Sequence, residues 1–263
     1  MSFFSVSGIR AGYGTKPVLS DVTFQVESGS LTGVLGANGS GKTTLLKALC
    51  GILAHEGTCS LEGTVLEKQT PKQLARLCSY IPQRSGIAID ISVLDVVLMG
   101  FNPYLKLLEH PTSAMKMQAL HAIEQVGLKG RAQENYQHLS EGQKQLAILA
   151  RTIASDSRML LLDEPESSLD FQFRYNMLDL LKKWTKENQR AAVVTLHDPV
   201  FALNYCDQLI ILHEGKVLGV LHPQMDPLDR TEHLLSQIYG RISLQLCQSR
   251  SGKTQLVMLK EVE

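Results

Sequence analysis

Continuous apolar runs recur along the chain between polar or glycine-rich turns. Clear examples are Leu31–Leu35, Met159–Leu162 and Ala191–Leu196. Runs of this length without polar alternation are typical of strands buried on both faces of a parallel sheet. Two opening segments, Phe3–Ile9 and Val18–Val26, alternate only in part, and we expect them to form antiparallel strands beside the main sheet.

Helical periodicity predicts two long amphipathic helices, at Ser113–Val126 and at Phe171–Lys186. Each carries apolar residues on one face. These residues are Met117, Leu120 and Ile123 in the first helix, and Met177, Leu180, Leu181 and Trp184 in the second. We expect these faces to pack against the rest of the protein.

The alternation of strands and helices predicts an α/β fold with a mostly parallel sheet. Residues 84–158 are mainly helical and predict a helical subdomain inserted into the sheet domain, which residues 1–83 and 159–221 would form. Residues 222–263 predict a C-terminal extension with a short helix and a final pair of strands. The chain is therefore expected to be one domain of residues 1–263 with an inserted lobe.

Composition narrows the possible partners. The chain has 263 residues, of which 44% are hydrophobic, so it can bury a sizeable core. Lys and Arg together number 26, and so do Asp and Glu, which leaves the net charge near zero. General affinity for nucleic acid depends on excess positive charge, so we expect no nucleic-acid partner.

The N-terminal segment and the cysteines are typical of a protein in a reducing compartment. The N-terminus lacks a basic segment followed by an apolar one, and no apolar run approaches the roughly 20 residues that span a bilayer. The five cysteines form no Cys-x-x-Cys pair, which favours free thiols. His55 and Cys59 are close in sequence, but two candidate ligands do not predict a zinc site.

A glycine-rich segment, Gly36–Thr43, fits the phosphate-loop pattern G-x-x-x-x-G-K-[ST]. Its strand-like and helix-like flanks disfavour the alternative, a glycine-rich turn with a surface lysine. Main-chain N–H groups can surround an anion in such a loop, and the next helix adds its positive end. Lys42 can reach terminal phosphates, and the Thr43 hydroxyl can bind Mg²⁺. The predicted nucleotide-binding residues here are Gly36, Ala37, Asn38, Gly39, Ser40, Gly41, Lys42, Thr43 and Thr44.

Two acidic residues, Asp163 and Glu164, follow the buried run that begins at Met159. Side chains at the carboxyl end of a parallel strand face the ligand crevice of the sheet. Asp163 can bind Mg²⁺ directly or through water, and Glu164 can accept a proton from an attacking water. The alternative is an ordinary acidic turn, which would be favoured if the phosphate loop were absent.

The segment Ser140–Gln143 precedes a helix rich in Ala and Leu. Ser140 and Gln143 have the spacing of a capping box, and Gly142 leaves room for a ligand to approach closely. The N-terminus of a helix is a potential phosphate site. Taken alone, however, the segment is more typical of ordinary helix capping.

These motifs follow one another in a specific order. After the phosphate loop come Gln83, Leu-Ser-Glu-Gly-Gln, Leu-Leu-Leu-Asp-Glu-Pro, Ser-Ser-Leu-Asp and His197. In this order the chain resembles the ATPase subunit of ABC transporters over nearly its whole length. Glu141 departs from the usual glycine of that family, and residues 167–170 are close to the commonest dimer-contact loop. The resemblance implies a P-loop NTPase core with N-terminal antiparallel strands and an inserted helical subdomain.

The resemblance also implies a mechanism in which two copies pair head to tail. Each ATP would lie between the phosphate loop of one copy and Ser140–Gln143 of the other. Tyr13 would stack on adenine, Gln83 would contact Mg²⁺ and the attacking water, His197 would contact the γ-phosphate, and Asp170 would join the two sites. The implied catalytic residues are Lys42, Gln83, Glu164 and His197. The implied metal ligands are Thr43, Gln83 and Asp163. The residues that would contact the ATP bound by the other copy are Ser140, Gly142 and Gln143.

Each of these assignments has a plainer alternative. Tyr13 could be a turn tyrosine, Gln83 a polar strand end, and His197 a structural histidine. A nucleotide kinase would use only the phosphate loop, and Leu139–Gln143 together with His197 argue against that class. A soluble ABC-type ATP switch outside transport stays open as a second class of function.

A finer resemblance concerns the transported cargo. Ser79–Gln83, Ser92–Gly100 and Leu234–Gly240 are similar to importers of iron–siderophore, haem and cobalamin type. Importers of molybdate or tungstate, which have a related architecture, are the alternative. The ATPase subunit does not touch the cargo, so this assignment comes by analogy alone.

The same resemblance implies membrane partners. A permease subunit would dock near Gln83 to Tyr104, where exposed apolar residues around Phe101 and Tyr104 are the candidates for contact. A substrate-binding protein would be an indirect partner. The chain would then be a peripheral protein on the cytoplasmic face of the cell membrane.

Overall fold

The computed structural model describes residues 2–83, 86–167, 169–187, 189–250 and 252–261. The strands are β1 Phe4–Tyr13, β2 Lys16–Val26, β3 Leu31–Leu35, β4 His55–Leu61, β5 Thr64–Val65, β6 Cys78–Ile81, β7 Met159–Asp163, β8 Ala191–Thr195, β9 Gln208–His213, β10 Lys216–Leu221, β11 Ile242–Gln248 and β12 Thr254–Lys260. The α-helices are α1 Lys42–Leu49, α2 Pro71–Leu77, α3 Val93–Leu98, α4 Ser113–Gln125, α5 Glu141–Ala154, α6 Phe171–Glu187, α7 Pro199–Tyr205 and α8 Leu228–Tyr239. Among these described helices, none is both long and apolar enough to cross a membrane.

The central sheet has six strands in the order β10-β9-β3-β8-β7-β6. Strands β6, β7, β8, β3 and β9 run parallel, and β10 is antiparallel to β9. Every residue of β3, β7 and β8 is buried, so the prediction from continuous apolar runs is confirmed. The carboxyl ends of the parallel strands lie at one edge, where the segments after β3, β6, β7 and β8 meet.

Two apolar cores hold this sheet in place. Leu160 and Leu162 of β7 belong to a core that includes α5 and α6. Met159 and Leu161, which point to the other face, belong to a core that includes α1 and the second sheet. That second sheet is antiparallel, in the order β2-β1-β4-β5. Burial of both faces fixes the register of β7 and therefore the position of its carboxyl end.

Between β6 and β7 the chain forms α3, α4 and α5, which pack against one another. The predicted face of α4 is confirmed only at Ile123, which is buried, whereas Met117 is 68% exposed and Leu120 is 41% exposed. The buried residues of this helix are Ala119, Ala122 and Ile123. Small side chains allow α4 to approach its neighbours closely, and alanines give a weak hydrophobic signal in the sequence. In α6 the prediction holds better, with Leu178 rather than Leu180 fully buried.

The C-terminal residues form α8 and the two-stranded sheet of β11 and β12, as predicted. The Asn204 side chain of α7 fastens this sheet to the rest of the protein. Its amide nitrogen donates to the Leu256 carbonyl oxygen at 2.8 Å, and its amide oxygen accepts the Leu256 N–H at 2.9 Å. A partly buried amide that satisfies both backbone groups of one residue acts as a specific anchor.

Candidate nucleotide-binding site

The phosphate loop joins β3 to α1 at the carboxyl edge of the central sheet. Gly39 and Gly41 have φ angles of 81° and 105°, a left-handed conformation that glycine adopts without strain. A Cβ atom on Gly36 would lie 2.3 Å from the Leu212 carbonyl oxygen, so no larger residue fits there. The N-cap residue of α1 is Gly41, and no side chain of the described residues caps this helix, which leaves its first N–H groups available to an anion.

Two polar side chains of the loop fit a triphosphate. Lys42 Nζ donates to the carbonyl oxygens of Gly36 at 2.9 Å and Ala37 at 3.3 Å. Burial lowers the pKa of Lys42, while the nearby carboxylates of Glu164 and Asp163 act in the opposite direction. Ser40 Oγ is buried and has no hydrogen-bond partner among the described residues. Phosphate oxygens beside the loop would give both groups a strong acceptor.

Asp163, at the end of β7, has its carboxylate held by three hydroxyl groups. Oδ1 accepts from Thr43 at 3.1 Å and from Thr195 at 3.0 Å, and Oδ2 accepts from Tyr80 at 3.3 Å. Burial, and then the Asp163 charge, raise the pKa of Tyr80, so its hydroxyl stays a donor at neutral pH. The Thr43 and Asp163 oxygens are the kind of ligand that Mg²⁺ prefers, and this donor set fits the ion.

Three of the predicted catalytic residues meet at one oxygen atom. Glu164 Oε2 accepts from Gln83 Nε2 at 2.7 Å and lies 2.7 Å from His197 Nε2. Glu164 has a φ angle of 47°, which is uncommon for a residue other than glycine and costs free energy. Its side chain lines a cavity of about 240 Å³ over the phosphate loop, together with Lys42 and Thr43. The strained backbone therefore directs a carboxylate to the cavity that the loop encloses.

The Ser140–Gln143 segment borders a different cavity. The predicted capping box is present: Ser140 Oγ accepts the Gln143 N–H at 3.3 Å, and Gln143 Oε1 accepts the Ser140 N–H at 3.1 Å. This cavity of about 230 Å³ is also lined by Asp170, and none of the described residues lines both it and the cavity over the phosphate loop. Within one chain, the two phosphate-binding segments predicted from the sequence therefore lie at separate places.

Two further predicted residues lie outside the cavity over the phosphate loop. Tyr13 ends β1 with its side chain 50% exposed, and it does not line that cavity. Asp170 caps the start of α6, because its Oδ1 accepts the Phe173 N–H at 3.1 Å. The Asp170 side chain thus has a role within its own chain that the sequence did not predict.

Comparison with known proteins identifies the family. The model of the ABC transporter family matches residues 19–167, which include the phosphate loop, Ser140–Gln143 and Asp163–Glu164. The chain belongs to the ABC transporter family. As a member of that family it is an ATP-binding cassette, the ATP-hydrolysing part of such transporters.

Several ABC transporter ATP-binding proteins are similar to this chain. The hemin import ATP-binding protein HmuV of Vibrio parahaemolyticus is 33% identical over 241 residues, which cover 90% of each chain. The ABC transporter ATP-binding protein YvrA of Bacillus subtilis is 34% identical over 256 residues. That alignment covers 97% of this chain but 57% of YvrA, so this chain spans little more than half of that relative.

A solved structure has the same fold across its whole length. It is described as a metal-chelate type ABC transporter in an inward-facing conformation. The TM-score is 0.83 at 26% sequence identity, and the match covers 99% of each chain. The fold predicted from the sequence, a P-loop NTPase core with an inserted helical subdomain, is thereby confirmed.

The structure also reveals a site residue that sequence reasoning missed. Gln145, on α5, is buried, and its Nε2 donates to the Gln83 main-chain carbonyl oxygen at 2.8 Å. Because α5 begins at the Ser140 cap, Gln145 connects that helix to the backbone that carries the Gln83 side chain. No local sequence signal marks this contact, since 62 residues separate the partners.

We expect Gln145→Met to lower ATP turnover by about 10-fold while ATP affinity changes little, because Gln83 loses its backbone anchor but the phosphate loop is unaffected. Steady-state hydrolysis and equilibrium binding of a fluorescent ATP analogue would measure the two quantities. Gln118→Met, at an exposed position of α4, is the matched control. Normal turnover in Gln145→Met would exclude Gln145 as a positioning residue.

A second missed residue is Glu166, which is 4% exposed. Its Oε1 accepts the His197 N–H at 3.1 Å, whereas its Oε2 is buried and has no partner in the part of the chain that the structure describes. Burial raises the pKa of Glu166 above its ordinary value of 4.5, and the hydrogen bond from His197 offsets this only in part. The Glu166 carboxylate thus fixes the position of the His197 backbone, but burial of its negative charge is unfavourable for folding.

We expect Glu166→Gln to raise the melting temperature at neutral pH, because the amide keeps an acceptor for the His197 N–H and removes the buried charge. Because the pKa of Glu166 is higher in the folded protein than in the unfolded chain, protonation of Glu166 stabilises the folded wild-type protein at low pH. This stabilisation is lost as the pH rises through the folded-state pKa. The advantage of the variant should therefore shrink as pH falls toward 4.5. Thermal melts between neutral and mildly acidic pH would test this. A difference in melting temperature between the variant and the wild-type chain that grows on acidification would contradict it.

Proposed function

We propose that this chain hydrolyses ATP to drive a membrane permease that imports a metal chelate, such as an iron–siderophore complex, haem or cobalamin. The observation that carries the enzymatic part is the meeting of Gln83, Glu164 and His197 at Glu164 Oε2 beside the phosphate loop. The cargo part is supported by the name of the hemin import relative and by the metal-chelate type of the structural neighbour.

The proposed chemistry assigns one task to each group. Main-chain N–H groups of Gly36–Thr44 hold the phosphates of ATP, and Lys42 Nζ exchanges its two loop carbonyls for phosphate oxygens. Glu164 accepts a proton from the attacking water through Oε2. Gln83 orients that water, and His197 contacts the terminal phosphate. Mg²⁺, when bound by Thr43 and Asp163 with Gln83 nearby, supplies charge neutralisation at the phosphates.

A second copy of the chain is part of this proposal. The Ser140–Gln143 segment presents a helix N-terminus and a hydroxyl group, yet it borders a cavity away from its own phosphate loop. A head-to-tail pair would let this segment contact the ATP held by the other copy. Asp170 borders the same cavity and would lie at the contact, and Tyr13 would stack on the adenine of the ATP held by its own chain.

The permease is proposed to dock near Gln83 to Tyr104, on the cytoplasmic face of the membrane, with a substrate-binding protein as an indirect partner. The exposed apolar side chains of Ile89 and Tyr104 support this surface. Phe101 does not belong to it, because that side chain is 4% exposed and packs in the core.

We also propose a division of the chain into parts. Residues 84–158 form the inserted subdomain between the core parts 1–83 and 159–221, and residues 222–263 form the C-terminal extension.

Growth and copurification would test the proposed function. A host whose own copy carries Glu164→Gln should fail to grow on at least one of three media: an iron–siderophore complex as the sole iron source, haem as the sole iron source, or a medium in which growth requires external cobalamin. Growth should recover with the wild-type chain. Glu187→Gln, at an exposed position of α6, is the matched control and should grow normally. The wild-type chain should copurify with a membrane protein of many helices. Stable association with ribosomes or DNA ends, together with normal growth of Glu164→Gln, would contradict the proposal.

A further inference from the structure

Away from the nucleotide, three potential metal ligands converge on the second sheet. His55 and Cys59 belong to β4, and Glu67 lies in a short 3₁₀ turn, Leu66–Lys68, that follows β5. The donor atoms offered by these three side chains all lie within 4.8 Å of one another. The sequence brings His55 and Cys59 together, and the chain reversal through β5 adds the third member.

The imidazole ring of His55 faces oxygen acceptors on both sides. Nδ1 lies 3.3 Å from the Leu53 carbonyl oxygen, and Nε2 lies 3.1 Å from Glu67 Oε1. A neutral imidazole has a single N–H, so one of these contacts lacks a hydrogen when the ring is neutral. When Nδ1–H donates to the carbonyl, the lone pair of Nε2 points toward the carboxylate. A histidine that binds metal through one nitrogen commonly donates the other to a main-chain carbonyl in this way.

The other two groups are equally constrained. Glu67 Oε1 accepts the Cys59 N–H at 2.6 Å, which fixes the carboxylate over the strand. The Cys59 side chain is fully buried, and its sulfur lies within 4.8 Å of the ligand atoms of both His55 and Glu67. The His55 side chain is 9% exposed and that of Glu67 is 28% exposed, so the cluster is enclosed on the protein side and reachable from solvent.

We propose that His55, Cys59 and Glu67 bind a zinc-class divalent cation through Nε2, Sγ and a carboxylate oxygen. One nitrogen, one sulfur and one oxygen ligand match the preferences of Zn²⁺. Zinc–ligand bonds of about 2.0–2.3 Å in a tetrahedron place ligand atoms roughly 3.3–3.7 Å apart. The three atoms therefore need to move by about an ångström or less to reach this geometry.

The remaining coordination position faces an open cavity. His55 and Glu67 line a groove of about 590 Å³, and two further thiols, Cys50 and Cys78, line it as well. Water from the groove would complete the tetrahedron. Burial raises the pKa of the Cys59 thiol, so the sulfur keeps its proton until the cation displaces it into solvent. The bound ion would clamp β4 to the 3₁₀ turn along one wall of the groove.

Cobalt(II) titration of the purified full-length chain tests the site without nucleotide. Co²⁺ replaces Zn²⁺ in such sites, and its bond to a thiolate gives a near-ultraviolet charge-transfer absorption. We expect this absorption in the wild-type chain at one equivalent of Co²⁺ and its loss when Zn²⁺ is added. It should disappear in Cys59→Ser, and Co²⁺ should bind at least about 10-fold more weakly to His55→Gln.

The matched control is Cys247→Ser, which alters an exposed cysteine and should keep the full absorption. Absence of the absorption in the wild-type chain would overturn the proposal and leave His55 and Glu67 as an ordinary ion pair. Absorption that persists in both Cys59→Ser and His55→Gln would also overturn it. If Cys59→Ser does not fold, the decision rests on Zn²⁺-dependent melting: Zn²⁺ should stabilise the wild-type chain and Cys247→Ser, but not His55→Gln.

Discussion

Glu164→Gln is expected to bind ATP with near-normal affinity and to hydrolyse it at least about 100-fold more slowly than the wild-type chain. The amide keeps the size of the side chain and an oxygen that can accept from Gln83. It cannot take a proton from the attacking water, and loss of a positioned general base typically costs about 10²–10⁴ in rate. Release of inorganic phosphate at saturating ATP would measure the effect, with ATP binding measured separately.

The control for this experiment is Glu187→Gln, which removes an exposed carboxylate at the end of α6. Its turnover should equal that of the wild-type chain. If Glu164→Gln also hydrolysed ATP at the normal rate, Glu164 would not be the base. The contacts of Gln83 and His197 with Glu164 Oε2 would then stabilise the local structure without a role in proton transfer.

Lys42→Ala is expected to weaken ATP binding by about 10- to 100-fold, because a buried ammonium group can no longer bond to phosphate oxygens. The substitution also frees the carbonyl oxygens of Gly36 and Ala37, which Lys42 contacts in this structure. The variant should still fold, because β3 and α1 on either side of the loop keep their packing in the two apolar cores. Titration with a fluorescent ATP analogue would measure the affinity.

Lys129→Ala is a suitable control for the change of charge, because the Lys129 side chain is 80% exposed and lies far along the chain from the phosphate loop. It should bind ATP normally. Equal affinity in Lys42→Ala and Lys129→Ala would show that the phosphates do not depend on Lys42. The geometry of the loop would then need another explanation.

Much of the fold could be predicted because its signals are local. The run Met159–Leu162 sends alternate side chains into two cores, so every position is apolar and the strand is evident from the sequence. The capping box at Ser140 and Gln143 spans three residues and is equally visible. The phosphate loop combines fixed spacing with the correct flanking elements.

Contacts between distant residues could not be predicted in this way. Gln145 reaches Gln83 across 62 residues, and Tyr80 reaches Asp163 across 83, and neither pair leaves a pattern in its own segment. The buried face of α4 could be predicted only at Ile123, because packing through Ala119 and Ala122 leaves the larger Met117 exposed. Glu67 joins His55 and Cys59 only after the chain has turned back through β5.

In the proposed mechanism two copies of the chain jointly enclose ATP, and the molar mass of Glu164→Gln is the most direct test of this pairing. Light scattering during gel filtration should give the mass of one chain without nucleotide and of two chains with ATP and Mg²⁺. Ser140→Arg added to this variant should prevent pairing while its own phosphate loop still binds ATP. A Glu164→Gln chain that is saturated with ATP yet keeps the mass of a single copy would contradict the account.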